Sequence, residues 1–425
     1  MFGIAIFLIA IFLLITNKRI DWVVTIIMFL AFGYLGQNRG ILADFDQYFN
    51  ASLILIVLLW IHAKKHYKNT EENNIGQASL YSGFIALFCY VIFTVIIDVF
   101  INQIDLWSVL RTSRHWVLLL SFIPIRLIPS NIIYKSQIQL LWLTVLLDII
   151  ILIEGFLGVA YVSIGSQVTM EEISVERGAI PSTFTVFYIF ALYNDFGNFG
   201  KIKKYGLMSI LILTIMKSAI RSYFIAVFLG LSIISLLKSN NIGRSIRNLL
   251  IVGICGFAIY NSSGAMKTRM QNADELKASN IEDSYGTFAI RWLSITERYD
   301  YISLSPRTLL FGVGNVPSTD FKGHKFITYT DSAFDTGDTC WVGLECRLGI
   351  IGTALLVWIM ILFIKIMYQH RDKSTYAITL FAYLFCSLTV LSMAGNYMSY
   401  GQFWLLPFMY LSFISKNKFN DCNTH

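Results

Sequence analysis

Residues 81–101 read YSGFIALFCYVIFTVIIDVFI. A helix needs about 20 mostly apolar residues to cross a bilayer, and this run has that length and uniformity. It lacks the short alternating pattern of a membrane barrel strand. Working outward, apolar runs recur at 2–17, 22–37, 47–63, 106–127, 137–158, 181–200, 205–219, 222–237, 249–261, 341–364, 375–394 and 403–415. The shorter ones are expected to extend past these limits, tilt, or enter only partway. Backbone groups left unpaired in lipid cost several kcal/mol, so the spans must be helices. The expectation is an all-α, polytopic membrane protein with about 12–13 transmembrane helices, forming a single integral membrane domain over 1–425.

Composition points the same way. Apolar residues make up 56% of the chain and charged residues 14%, against roughly 25% charged in an ordinary soluble protein. That balance excludes a soluble globular enzyme, a disordered chain and a collagen. The net charge of +7 is too small and too dispersed for a nucleic-acid binder. The six cysteines form no CxxC pair and no zinc spacing. Cys340 and Cys346, six apart on one expected helix, point to different faces, so no disulfide is expected there. The run Phe2 to Leu14 precedes Lys18 and Arg19, the reverse of a cleaved signal peptide, and reads as a retained first span with its N-terminus outside.

The basic residues alternate between connections. One set holds Lys18, Arg19, Lys64, Lys65, Lys68, Arg126, Lys135, Lys201, Lys203, Lys204, Lys238, Arg244, Arg247, Lys365, Arg371, Lys373, Lys416 and Lys418. The short connections of the other set hold only Arg39, Arg111, Arg114, Arg177, Lys217 and Arg221, beside several acids. The positive-inside rule puts the first set and the C-terminus in the cytoplasm. The large loop 262–340 then faces outward, and its length is that of a functional or disordered segment. Within it Phe288, Trp292, Ile295, Tyr299 and Ile302 recur at helical spacing. They predict an amphipathic helix near 285–302, lying at the membrane surface and ended by Pro306.

Several polar residues stand out against this background. Arg221, in KSAIRSYFIAVFLG, either snorkels to the interface beside Lys217 or marks an outward anion site. Arg291 and Arg298 lie 20° short of two full turns apart on the loop helix, so they share one face. They meet either anionic headgroups or a phosphate in a cleft above the bilayer, since guanidinium forks match phosphate geometry. Arg307 is a weaker candidate. Asp338 either caps the helix that follows or serves as an external base, with Glu345 seven residues on. In NRGILADFDQY, Arg39, Asp44, Asp46 and Tyr48 either shape their own loop or bind sugar. Arg111 and Arg114, one turn apart, contact phosphate or anchor a span. FGVGNVP, 311–317, lacks the ending of a phosphate-binding loop and reads as a tight turn. No metal-ligand set is visible.

Taken in order, four elements resemble the O-antigen polymerase (Wzy) family within the O-antigen polymerase/ligase (Wzy/WaaL) superfamily of bacterial inner membranes. KSAIRSYFIAVFLG is similar to that family's Ser–Arg helix start, matching Arg221. The loop helix with Arg291 and Trp292, running on to PRTLLFGVGN, resembles its order of Arg, helix, Pro and Gly-x-Gly. DTCWVGLECRLGIIGTAL resembles the motif opening the helix after the periplasmic loop. Ligases typically show His-Asn there, and Asp338-Thr339 is more like the polymerase branch. NRGILADFDQY is similar to an early Arg–Asp–Tyr pattern.

The resemblance implies a metal-independent glycosyltransferase with no cofactor. It would join undecaprenyl-pyrophosphate-linked repeat units on the periplasmic face and release undecaprenyl pyrophosphate. Arg221 and Arg291 would stabilise the departing diphosphate, helped by Arg298, with Asp338 as the base. Arg39, Asp44, Arg111, Arg114 and Glu345 would contact substrate. The partners implied are the lipid-linked repeats, membrane lipid and a polysaccharide chain-length regulator, with no nucleic acid. A ligase-type glycan transferase would instead leave long carrier-linked chains when lost. A transporter of the lipid-linked oligosaccharide would show inverted repeats and charged residues lining mid-membrane positions in both halves; no such symmetry is visible, and most external arginines sit at span ends.

Overall fold

In a computed structural model, the described residues are 2–31, 45–67, 75–157, 183–218, 221–238, 243, 247, 287–314, 340–372, 374–393 and 401–415. Their regular structure is helical throughout. In chain order the α-helices are α1 Phe2–Ile15, α2 Ile20–Ala31, α3 Phe45–His66, α4 Ile75–Phe100, α5 Leu106–Ser113, α6 Phe122–Leu127, α7 Ser130–Leu157 and α8 Thr183–Tyr193. There follow α9 Lys201–Ser218, α10 Arg221–Lys238, α11 Thr287–Ser303, α12 Pro306–Phe311, α13 Cys340–Gln369, α14 Thr375–Thr389 and α15 Leu405–Ser415. Three helical stretches are long and apolar enough to cross a membrane: Leu80–Phe100, Ser130–Ile153 and Cys340–Gln369.

Each expected span contains helix, save 249–261, which lies outside the described residues. Several of these runs depart from a single straight helix. The run 106–127 is divided into α5, a 3-10 stretch Arg114–Ser121 and α6. Pro124 has no N–H to donate to the Leu120 carbonyl, which weakens a continuous α-helical ladder there. The run 181–200 is α-helical only to Tyr193 and then makes a 3-10 turn at Phe196–Asn198, because Asp195 and Gly197 adopt left-handed φ of 65° and 81°.

The helices pack through aromatic side chains. Phe84 of α4 meets Trp404 and Phe408 at ring-centroid distances of 5.0 and 4.7 Å. Phe187 of α8 meets Tyr410 of α15 and Tyr383 of α14 at 4.6 and 5.1 Å. Edge-to-face pairs of this kind add about 0.5–1.5 kcal/mol beyond their buried area. Between α7 and α8, buried Thr185 donates to the Asp148 carboxylate at 3.0 Å. Opposite faces carry Phe12, Ile61, Ile96, Leu146 and Ile361 outward. Apolar surface on so many helices is what a lipid environment covers and water does not.

Basic connections gather at one end of this bundle. Arg19 pairs with Asp21, which also accepts from Gln139 of α7. Lys203 lies 4.8 Å from the Trp142 and Phe199 ring centres. Asp195 binds Lys204 at 2.5 Å and Lys238 at 2.9 Å, joining α8, α9 and the end of α10. Asn194 donates to the Thr375 carbonyl and Thr379 hydroxyl, adding the start of α14.

Partial burial pushes the Asp195 carboxyl up, but the bonds from Lys204 and Lys238 outweigh it and hold it below the usual carboxylate range. A lowered folded value means the tie stabilises above the unfolded value of about 4. That stability is lost as pH falls through the folded value. The Asp195 side chain is 58% exposed, so solvent and salt screen the pair. Asp195→Asn is expected to cost less than about 1 kcal/mol at neutral pH. The difference from the unsubstituted chain should vanish in acid, as read by thermal unfolding at pH 7 and at low pH.

Candidate functional site

The opposite end is built around a break in a helix. At Gly349, α13 leaves helical geometry with φ 65° and ψ −176°. Carbonyls before a break lose their ladder donors and need others. The Cys346 carbonyl takes the Val313 N–H at 2.6 Å, and the Leu348 carbonyl takes the Tyr90 hydroxyl of α4 at 2.6 Å. The chain therefore docks backbone against backbone. A Cβ on Gly312 would lie 2.6 Å from the Arg347 carbonyl, and one on Gly349 would overlap the Leu310 carbonyl. Gly312 and Gly314 take φ of 78° and 92°, open to glycine at no steric cost. The expected tight turn at FGVG is thus present, and its glycines also admit the neighbouring backbone.

Two short helices carry that turn. Ser305 caps α12 by accepting from the Arg307 N–H at 3.3 Å, and Pro306 takes its first position. Thr308 Oγ1 donates to the carbonyls of Ile302 at 2.6 Å and Ser305 at 2.9 Å, fastening α12 to α11. Ile302, Val313, Val342 and Cys346 form a small separate core, with Ile295, Tyr301 and Leu309 packed on it. Burial raises the Tyr301 phenol above its ordinary range, so it stays a neutral hydroxyl.

The turn also meets α4. Asp98, in its last turn, is 1% exposed, and a Cβ on Gly314 would fall inside its carboxylate. Asn102 Nδ2 donates to Asp98 Oδ1 at 3.0 Å, while Asn102 Oδ1 accepts from the Arg307 guanidinium. Gln103, left-handed at φ 55°, folds the chain back so that the Ile104 N–H reaches the Asp98 carbonyl at 3.1 Å. Asp105 then caps α5 by accepting from the Ser108 N–H.

Of the residues singled out in the sequence, Arg298 sits within this assembly. It is 0% exposed, on the α11 face that also holds Ile295 and Ile302. Ile295 and Ile302 of the expected apolar stripe lie on this face, while Tyr299 of the same stripe is exposed. Packing against α13, rather than a membrane surface alone, selects that face. Glu345 is half-buried on the first part of α13, beside Cys346.

Arg221 is the first residue of α10 and Arg291 belongs to α11; their side chains lie outside the described residues. Arg39, Asp44 and Asp338 lie outside them altogether. Arg111 is exposed in the last turn of α5, and Arg114 donates to Asn50 Oδ1 of α3 at 3.2 Å.

The start of α10 belongs to this same end. Its Lys238 is at the basic end, and 17 residues at 1.5 Å each put Arg221 about 26 Å away. Cys386 Sγ contacts the Ala226 carbonyl at 3.4 Å, and Ser392, six residues past Cys386, accepts from the Trp341 indole at 3.1 Å. Sequence reasoning passed over Asp98, Asn102 and Gly349. A lone acid near the end of an apolar run was the available signal for Asp98. Among the described residues no group of three or more His, Cys, Asp or Glu side chains could hold a metal ion. No protein-family model matches the chain, and no curated protein matches it.

The glycine geometry has a direct test. Gly349→Ala places a Cβ in the left-handed region against the Leu310 backbone, and should destabilise by about 2 kcal/mol or more. Gly206→Ala on α9, where nothing lies within 4 Å, should be neutral or stabilise by up to about 1 kcal/mol. Thermal unfolding in detergent distinguishes the two.

Proposed function

We propose that the chain is a polymerase of O-antigen or related surface polysaccharide. In this reading it is a multi-pass protein of the bacterial inner membrane with about 12–13 spans, its basic end and C-terminus cytoplasmic. The loop 262–340 is periplasmic. One observation carries the proposal: α11, the FGVG turn and the first part of α13 pack on one another. They do so at the end of the bundle where α10 starts. Two of the sequence elements that resemble the polymerase family thereby pack on one another, at the end of the bundle where the third, the start of α10, also lies.

The chemistry follows from those residues. A hydroxyl of the incoming lipid-linked repeat attacks the anomeric carbon of the growing chain. Its proton passes to Asp338, the new C–O bond forms, and the bond to the carrier pyrophosphate breaks. The bonding pair leaves with undecaprenyl pyrophosphate, whose growing charge Arg221 and Arg291 stabilise. Fixed guanidinium groups suit that task because they are already oriented when the charge appears. Arg298, enclosed on the inner face of α11, adds positive potential from behind and holds the helix. Arg39, Asp44, Arg111, Arg114 and Glu345 contact the sugars and headgroups around this centre. A chain-length regulator is the expected protein partner, and no cofactor is required in this scheme.

The test is an assay of purified protein with lipid-linked repeats and EDTA, unsubstituted chain beside Arg291→Ala. Polymer should form in the presence of chelator, and the variant should be slower by about 100-fold or more. Loss of activity with EDTA, or an unimpaired variant, would count against the scheme.

A further inference from the structure

We propose that Asp98 is a positioning residue. With Asn102 and Arg307 it latches the turn Gly312–Gly314 onto the bundle, and so fixes the height and direction of α11, which carries Arg291. The role in catalysis rests on the polymerase reading above; the latch itself does not.

The latch is an ion pair relayed through an amide. Asp98 and Arg307 do not need to touch, because Asn102 uses its NH2 toward the carboxylate and its C=O toward the guanidinium. An amide has one donor side and one acceptor side, so the acid and the cation fix its orientation. Buried under Gly314, the carboxylate is shielded from water, where hydrogen bonds to a charged group count for more. The hold passes along a continuous path. Gly314 sits on Asp98, the Val313 N–H binds the Cys346 carbonyl, and Thr308 ties α12 to the Ile302 carbonyl of α11. Phe311 and Phe93 meet edge to face at 5.7 Å and close the α4 side.

A relay of this kind makes a prediction that simple packing does not. Asn102→Asp sets two carboxylates against each other and should open the latch. Adding Asp98→Asn restores it with the order reversed, since an amide at 98 donates to a carboxylate at 102, which accepts from Arg307. Full-length protein in lipid nanodiscs would be compared by hydrogen exchange over 306–314 and by polymer formation from lipid-linked repeats. Asn102→Asp and the milder surface change Arg307→Gln should speed exchange at 312–314 by about tenfold or more, leave α7–α9 unchanged, and slow polymerisation. The double variant should recover both.

Unchanged exchange in the single variants, or no recovery in the double variant, would overturn the latch. Faster exchange with undiminished polymerisation would overturn the positioning role. Failure of the unsubstituted chain to polymerise would strike the proposed reaction instead, with the exchange result still deciding the latch.

Discussion

Where helices present apolar side chains outward, as on α1, α4, α7 and α13, the backbone has only itself to bond to. Every interruption of an α-helical ladder must then be answered by a donor from elsewhere in the protein. The break at Gly349 is answered twice, by the Val313 N–H and by the Tyr90 hydroxyl. That requirement joins three segments far apart in sequence: the second half of α4, the turn after α12 and the first part of α13. A kink that would otherwise be a weakness becomes the place where the segment 287–314 is attached.

The two ends of the bundle use acids differently. Asp195 is exposed and bound by two lysines, a surface tie worth little by itself. Asp98 is buried and reaches its cation through Asn102. The hydrogen bond to the buried Asp98 carboxylate is costlier to lose than one to a solvated acid, while the Arg307 end of the relay lies at the surface. This contrast makes the Asp98 end the more sharply fixed one, as the proposed diphosphate site requires.

Much of this was legible in the sequence. Long apolar runs gave the helices, and the 3-4 spacing from Phe288 to Ile302 gave α11 with its stop before Pro306. Gly-x-Gly gave a turn. What remained hidden depends on contacts between distant segments. Periodicity sets Arg298 on one face with Arg291, toward headgroups or a phosphate, but packing on α13 encloses it with Ile295 and Ile302. The division of 106–127 depends on a proline and a 3-10 stretch that mean hydropathy ignores. Asp98 is one acid near the end of an apolar run, and the turn that covers it comes from over 200 residues away. Asp148 likewise has its partner, Thr185, 37 residues away.

In the proposed polymerase, Arg221 and Arg291 share a diphosphate site at the end of the bundle opposite Asp195. The most direct measurement is an electron cryomicroscopy structure of the full chain in nanodiscs with undecaprenyl pyrophosphate. Density for the diphosphate is expected between these two guanidinium groups, beside the Gly312–Gly314 turn. Diphosphate bound instead among the lysines near Asp195, or two guanidinium groups opening into separate cavities, would contradict it.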